Sequence, residues 1–199
     1  MLDLYNQADF SGDVARPLEK YGLRIMSLGM SAKQDQAFIW RGPLVSKMIH
    51  NLLDKVEWGR LDYLVVDLPP GTGDPSISVA HSIPDAEIVM VTTPQKLALA
   101  DVRRAVNLFN LYHLDIIGLV ENMSYFACGH GDKVFDIFGR GGGDEFSRES
   151  DIPLLGSIPL DLAVRKSEDS GKPLMVGAPD SEAGRIVQDI AGKISGWSD

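Results

Sequence analysis

The 199 residues hold a single cysteine, Cys128, and that scarcity excludes any intramolecular disulfide framework. A reducing, cytoplasmic setting is the default it leaves. No apolar run approaches the roughly 20 residues that a membrane-spanning helix needs. The first residues, MLDLYNQADF, lack the basic-then-apolar order of a secretory signal, so no membrane partner is expected. Positive charge is also short. Lys and Arg number 19 against 28 Asp and Glu, and a net charge of −9 is the wrong sign for nucleic-acid binding. No low-complexity tract, internal repeat or linker separates two domains. The expectation is one domain over 1–199 with an irregular lead-in over 1–17. The last absence concerns chemistry. No G-x-x-x-x-G-K-[ST] loop occurs, since Gly171-Lys172 runs into Pro173 and Gly192-Lys193 into Ile194.

What is present begins with Leu61 to Asp74, LDYLVVDLPPGTGD. An apolar run ends in Asp67 and is followed by a stiff, then flexible, Pro/Gly turn. A buried parallel strand hands a carboxylate to a Mg²⁺–nucleotide site in this way. The turn, with Gly71 and Gly73, can sense a γ-phosphate through a backbone N–H and move when the phosphate leaves. A solvated Asp before a tight turn explains Asp67 alone equally well.

Other short apolar runs read as strands: Leu23–Gly29, Ala86–Thr92, Ile116–Glu121 and Pro153–Ile158. Most are apolar on both faces, as in a parallel sheet covered by helices. Helical spacing runs through Pro43–Val56, Leu97–Tyr112 and Asp180–Ile194. Alternation of the two predicts an α/β doubly wound, mostly parallel sheet with helices on both faces. Tyr125–Cys128 and Lys133–Phe138 flank Gly129-His130-Gly131-Asp132, which predicts an inserted β-hairpin. A glycine cluster, Gly139–Gly143, then precedes another helix.

In such a fold ligands gather at the carboxyl ends of the strands. Thr92-Thr93-Pro94-Gln95 lies at one such end, where a helix N-terminus offers N–H groups to an anion or is simply capped. Asn122, at the next, has an amide that can pair with the ring nitrogen and exocyclic amine of adenine, or it merely ends a strand. Pro159, Leu160 and Asp161 follow the last strand and offer an apolar wall for a base, or a turn into a helix capped by Asp161. Cys128 is one thiolate where a metal or Fe–S site needs about four ligands. A twofold dimer would double it.

Taken in order, these strings resemble the Mrp/ApbC family of iron–sulfur cluster carriers, which are MinD-like P-loop ATPases. The likeness rests on IWRGP (39–43), DYLVVDLPPGTGD (62–74), TTPQ (92–95), VENMSYF (120–126), DIFGRGGG (136–143) and PLLGSIPLD (153–161). Arg165 and Ser170-Gly171-Lys172-Pro173 continue it. The resemblance implies a P-loop NTPase fold of the MinD type. It implies that Asp67 stands near Mg²⁺, with Gly71 and Gly73 in the catalytic switch turn. Asn122 would contact adenine, and Pro159, Leu160 and Asp161 would line the base pocket. Cys128 would be the first cysteine of a cluster-binding C-x-x-C. ATP, Mg²⁺ and a 4Fe-4S cluster are the implied ligands, a homodimer the implied assembly, and recipient apoproteins the implied partners. The family hydrolyses ATP slowly.

The chain departs from that pattern twice. Gly131 stands where the second cysteine belongs, so a homodimer supplies two thiolates rather than four. The family's P-loop, its helix and the next strand would precede Met1, which makes the expected fold incomplete at the N-terminus. A central strand buries about four or five large apolar side chains, worth roughly 6–15 kcal/mol at roughly 1.5–3 kcal/mol each. A domain's whole net stability is about 5–15 kcal/mol. The chain alone is therefore expected to be a fragment that aggregates or stays molten, with severely weakened phosphate binding and no ATPase activity. Two other functions compete. One is a non-catalytic scaffold derived from the same ATPases. The other is a MinD/ParA-like positioning ATPase, which would want a basic amphipathic tail where Ala191–Asp199 has only Lys193.

Overall fold

A computed structural model describes residues 14–31, 42–128 and 133–196. The IWR of IWRGP, most of the lead-in and the hairpin tip with His130 and Gly131 lie outside these. The described residues divide into two compact units, one ending at Pro84 and the other beginning at Asp85.

The first unit opens with an antiparallel pair, β1 (Leu18–Lys20) and β2 (Leu23–Ile25), with Lys20 opposite Leu23. The two-residue turn is Tyr21-Gly22, both at positive φ (54° and 75°), the geometry that suits the twist of a hairpin. The Arg24 guanidinium ties the hairpin to the carbonyls of Trp58 and Arg60. A 3₁₀ turn, Leu28–Ser31, follows. Leu23–Gly29 is thus not the buried parallel strand its composition predicts. Its first residues pair locally through the Tyr-Gly turn, which needs no distant partner. Helices α1 (Gly42–Asp54) and α2 (Asp74–Ser82) pack together, and Ser78 donates to Ser46 Oγ at 2.8 Å.

Leu61–Leu68 also differs from expectation. No described residue pairs with the segment as a strand, the backbone bends at Asp62, and all but Leu68 are exposed. Val65 is 88% exposed. A strand is defined by its neighbours, and apolar composition alone does not supply one. An unpaired apolar stretch is a template for aggregation. Each such side chain, once buried between copies, gains about 1.5–3 kcal/mol, or tenfold or more in association. Val65→Lys is accordingly expected to raise the concentration at which the chain self-associates by about tenfold. Sedimentation velocity over a concentration series checks this, and an unchanged threshold would clear the segment of blame.

The second unit is built on a parallel sheet in the order β3 (Ile88–Thr92), β4 (Ile116–Glu121), β7 (Leu154–Ser157). β4 lies between its neighbours, and all of its residues but Ile116 are buried. Helix α3 (Lys96–Leu111) connects β3 to β4. An antiparallel hairpin, β5 (Phe126–Ala127) and β6 (Val134–Phe135), is inserted after β4, as the sequence predicts. Helix α4 (Gly142–Ser150) leads into β7. Helices α5 (Leu162–Asp169), α6 (Leu174–Gly177) and α7 (Glu182–Ser195) complete the unit. Val120, Leu155 and Ile190 form its core, with Val89, Ile158, Ile186 and Ile194 against them. Gly156 lets α7 approach, because a Cβ there would meet Ile190 at 2.8 Å.

The two sheet edges differ. At β7, Lys193 Nζ donates to the Leu155 carbonyl at 2.6 Å, and a lysine on an edge blunts further pairing. β3 pairs only with β4 among the described residues, and its Val91 is 58% exposed.

Candidate functional site

Because β3, β4 and β7 are parallel, their carboxyl ends meet at one edge, and backbone hydrogen bonds continue past the strand ends there. Asn122 N–H donates to Thr92 O at 2.7 Å, and Ile158 N–H donates to Glu121 O at 2.7 Å. Ser124 N–H then donates to Ile158 O at 3.0 Å, and Leu160 N–H to Tyr125 O at 2.7 Å. This zipper sets Asn122 beside Pro159-Leu160-Asp161, so the four expected base-pocket residues share one edge. Pro159 is buried, while Asn122, Leu160 and Asp161 are half-buried.

Each of these residues has a definite local role. Asn122 Oδ1 accepts the Met123 N–H at 2.9 Å, which fixes the amide oxygen against its own backbone and leaves the NH₂ to donate. Met123 sits at φ 54°, so the backbone is sharply bent just after the strand. Asp161 is the N-cap of α5, with Oδ1 accepting from Ala163 N–H at 2.8 Å. No side chain caps α3; the Thr93 hydroxyl instead donates to Gln95 Oε1.

In the first unit, Asp67 is exposed. Gly71 has φ 97°, and a Cβ there would find nothing within 4 Å, so the turn's backbone is open to close approach. Gly73 is the extended N-cap of α2, whose second residue is Pro75. Ser76, 3% exposed, closes the turn by donating to Gly71 O at 3.1 Å.

The hairpin carries Cys128, half-buried, whose N–H donates to Lys133 O at 3.2 Å. Val134, Phe135 and Ile137 beside it are exposed. Among the described residues, no group of three or more His, Cys, Asp or Glu is placed to hold a metal.

The ParA profile described as NUBPL iron-transfer P-loop NTPase matches residues 1–195. The chain belongs to this family. It is 42% identical over 189 residues to an iron-sulfur cluster carrier protein of Synechocystis sp., covering 92% of this chain and 54% of that protein. It is 43% identical over 197 residues to iron-sulfur cluster transfer protein NUBPL of Dictyostelium discoideum, covering 98% of this chain and 61% of that one. The chain therefore spans somewhat more than half the length of these relatives. A nucleotide-binding protein of Archaeoglobus fulgidus, solved in complex with ADP, superposes with a TM-score of 0.69 at 32% identity, covering 84% of this chain and 65% of that one. The Pyrococcus furiosus cell division ATPase MinD superposes at 0.56, with 23% identity and coverage of 79% and 59%, which shows the fold alone. The fold is the MinD-like α/β arrangement of P-loop NTPases.

Within this NUBPL-type chain, sequence reasoning passed over three residues that hold candidate segments in place, Ser76 in the first unit and Glu121 and Tyr125 in the second. Glu121, 4% exposed, accepts the Gly143 N–H at the start of α4 with Oε2 at 2.5 Å. A carboxylate at a helix N-terminus meets the positive end of its dipole. The glycine cluster is explained by this contact. A Cβ at Gly143 would meet Glu121 Oε2 at 2.8 Å, and one at Gly142 the Pro94 carbonyl at 2.4 Å. The only local signal was a run of glycines before a helix. Ser76 had no signal at all. Tyr125 donates its hydroxyl to Glu182 Oε1 at 2.7 Å across 57 residues of sequence.

Burial first, then the hydrogen bond and charge of Glu182, push the Tyr125 phenol up to about 12 from 10.0. The folded state thus favours the neutral phenol. Its contribution to stability is complete below pH 10 and is lost as pH climbs from 10 through about 12. One tyrosine is expected to ionise late in an absorbance titration at alkaline pH, and Tyr125→Phe is expected to remove that late step. Its persistence in the variant would assign it elsewhere.

Proposed function

We propose that the chain belongs to an ATP-dependent iron–sulfur cluster carrier that delivers clusters to apoproteins, works as a homodimer and resides in the cytoplasm. The two units are parts of one MinD-like ATPase domain in this reading. The observation that carries it is the zipper of backbone bonds that sets Asn122 beside Pro159, Leu160 and Asp161 at the sheet's carboxyl edge. The edge fits the adenine end of a nucleotide. It has an amide donor for a ring nitrogen, an Asn122 Oδ1 whose second lone pair can still accept from the exocyclic amine of adenine, an apolar wall from Pro159 and Leu160, and an acid already engaged as a cap.

Asp67 would hold Mg²⁺ through a water, and Gly71 and Gly73 would follow the γ-phosphate. Mg²⁺ takes one or two carboxylates and completes its shell with phosphates and waters, which suits a solitary exposed Asp. When bound, Mg²⁺–ATP supplies the phosphoryl chemistry. The residues' part is to orient the base and to let the Ser76-closed turn move. The cluster is cargo, and Cys128 is the side chain that would hold it.

The 199 residues contain no P-loop lysine, so their own nucleotide binding is expected to be weak and confined to the base. Amide NMR shifts in ADP and GDP titrations test this. ADP is expected to move the Asn122 and Leu160 signals at lower concentration than GDP. Asn122→Ala should erase that preference, because a lost hydrogen bond to a base edge is worth about 1–3 kcal/mol, or roughly ten- to a hundredfold. Equal shifts with both nucleotides, or none, would favour the non-catalytic scaffold. Submicromolar ATP affinity by calorimetry would refute the expected loss of phosphate binding.

A further inference from the structure

Tyr125 lies between the candidate base wall and the cysteine hairpin. Its carbonyl accepts the Leu160 N–H at 2.7 Å, in the wall. Its hydroxyl donates to Glu182 Oε1 at 2.7 Å, at the first turn of α7. The residue after it, Phe126, begins β5, and Cys128 follows that two-residue strand. The far end is firm. Helix α7 is seated on β7 through Ile190 and Leu155, and Ser181 caps its N-terminus by accepting from Gly184 N–H at 3.0 Å. The near end is light. Among the described residues the hairpin pairs Phe126↔Phe135 and Ala127↔Val134 and adds the Cys128 N–H to Lys133 O bond, with Val134 and Phe135 exposed.

We infer that Tyr125 is a positioning residue, a fulcrum pinned to Glu182, through which occupancy of the Pro159–Asp161 wall sets the pose of the hairpin that carries Cys128. The mechanism follows from the two bonds. A base seated against Leu160 shifts its backbone, and the Leu160 N–H carries the shift to the Tyr125 carbonyl. With the hydroxyl held at Glu182, residue 125 cannot absorb the shift by sliding. It turns about the pin and swings the strand attached to it. Without the pin the ring yields, and the displacement ends there. The same bonds work in reverse, so the pose of the hairpin feeds back on nucleotide affinity by the same factor. Hydrogen bonds of this kind link two sites only if both bias one movable element, and here that element is the hairpin.

This inference rests on the nucleotide reading above, and one experiment separates the two. The full chain is titrated with ADP while two signals are read: the Asn122 and Leu160 amides by NMR, and the rate of Cys128 alkylation by iodoacetamide, followed on its peptide by mass spectrometry. In the unsubstituted chain, ADP is expected to move the wall amides and to change the Cys128 rate by about fivefold or more. In Tyr125→Phe the wall amides should still move, while the Cys128 rate should no longer respond. Glu182→Ala breaks the same pin from the other side and should behave alike if the ring substitution disturbs folding. Glu182→Gln keeps an acceptor oxygen and should restore the response. A purely structural role for Tyr125 would change stability in these variants but leave the ADP response in place, and that overturns the inference. An ADP-insensitive Cys128 in the unsubstituted chain, with the wall amides moving, overturns it too. If the wall amides do not move at all, the nucleotide reading fails and takes the fulcrum with it.

Discussion

Gly142→Ala is expected to speed exchange of the amides in the first turn of α4 by about ten- to a hundredfold. The added Cβ would stand 2.4 Å from the Pro94 carbonyl oxygen and 2.9 Å from Leu99 Cδ1. A leucine methyl can rotate aside, but a backbone oxygen at a strand-to-helix junction cannot. Over-packing of this kind costs about 1–3 kcal/mol, and each 1.4 kcal/mol is tenfold in an opening equilibrium. The consequence does not stop at the contact. If α4 retreats, the Gly143 N–H leaves Glu121, a residue only 4% exposed whose carboxylate would lose that donor. Asn122 follows Glu121 directly, so the base edge should loosen with it. Gly192→Ala is the control. Gly192 lies inside α7, and a Cβ there would meet nothing within 4 Å. That alanine should stabilise by about 0.5–1 kcal/mol through helix propensity alone. Hydrogen exchange on both variants checks the contrast; equal effects would mean that the glycine cluster is not there for close packing.

The sheet was legible wherever period and composition sufficed. Ile116–Glu121 is apolar at alternate and intervening positions alike, and among the described residues it is the strand with neighbours on both sides. Helices α3 and α7 carry one-sided apolar spacing, and their ends fall within two residues of the spans the spacing predicts. The hairpin was legible because turn-forming residues sit between short apolar runs. Leu61–Leu68 misled for the opposite reason. Its composition states what the strand would bury, whereas pairing depends on residues distant in sequence, and none of those described pairs with it.

The candidate site was legible as motif but not as architecture. Asn122 and Pro159–Asp161 could be named from their strings, yet what holds them is spread along the chain. Glu121 bonds Gly143 at a separation of 22 residues, and Tyr125 bonds Glu182 at a separation of 57. Both are polar residues flanking Asn122, and nothing local distinguishes them from solvated strand-end side chains. The fold decides, by burying one and pinning the other.

Cys128→Ala is expected to abolish cluster binding outright, which gives it the largest functional effect of any single substitution. Iron–sulfur clusters are held by about four ligands, mostly thiolates. This chain has one thiolate, and in the proposed homodimer a cluster would draw on the matching Cys128 of the second copy. The hairpin suits that arrangement. Cys128 is half-buried next to exposed Val134 and Phe135, and a second copy laid against them would cover apolar surface while bringing two thiolates together. Anaerobic reconstitution should therefore give visible absorbance at one cluster per two chains, in a species of doubled mass. Cys128→Ala should lose both together. Gly131→Cys should act in the other direction. It restores the C-x-x-C spacing, doubles the thiolates to four per dimer and should raise cluster retention against a chelator. Absorbance identical in the unsubstituted chain and in Cys128→Ala would remove Cys128 as a ligand. Absorbance lost while the dimer persists would separate the apolar contact from the metal and leave the interface standing alone.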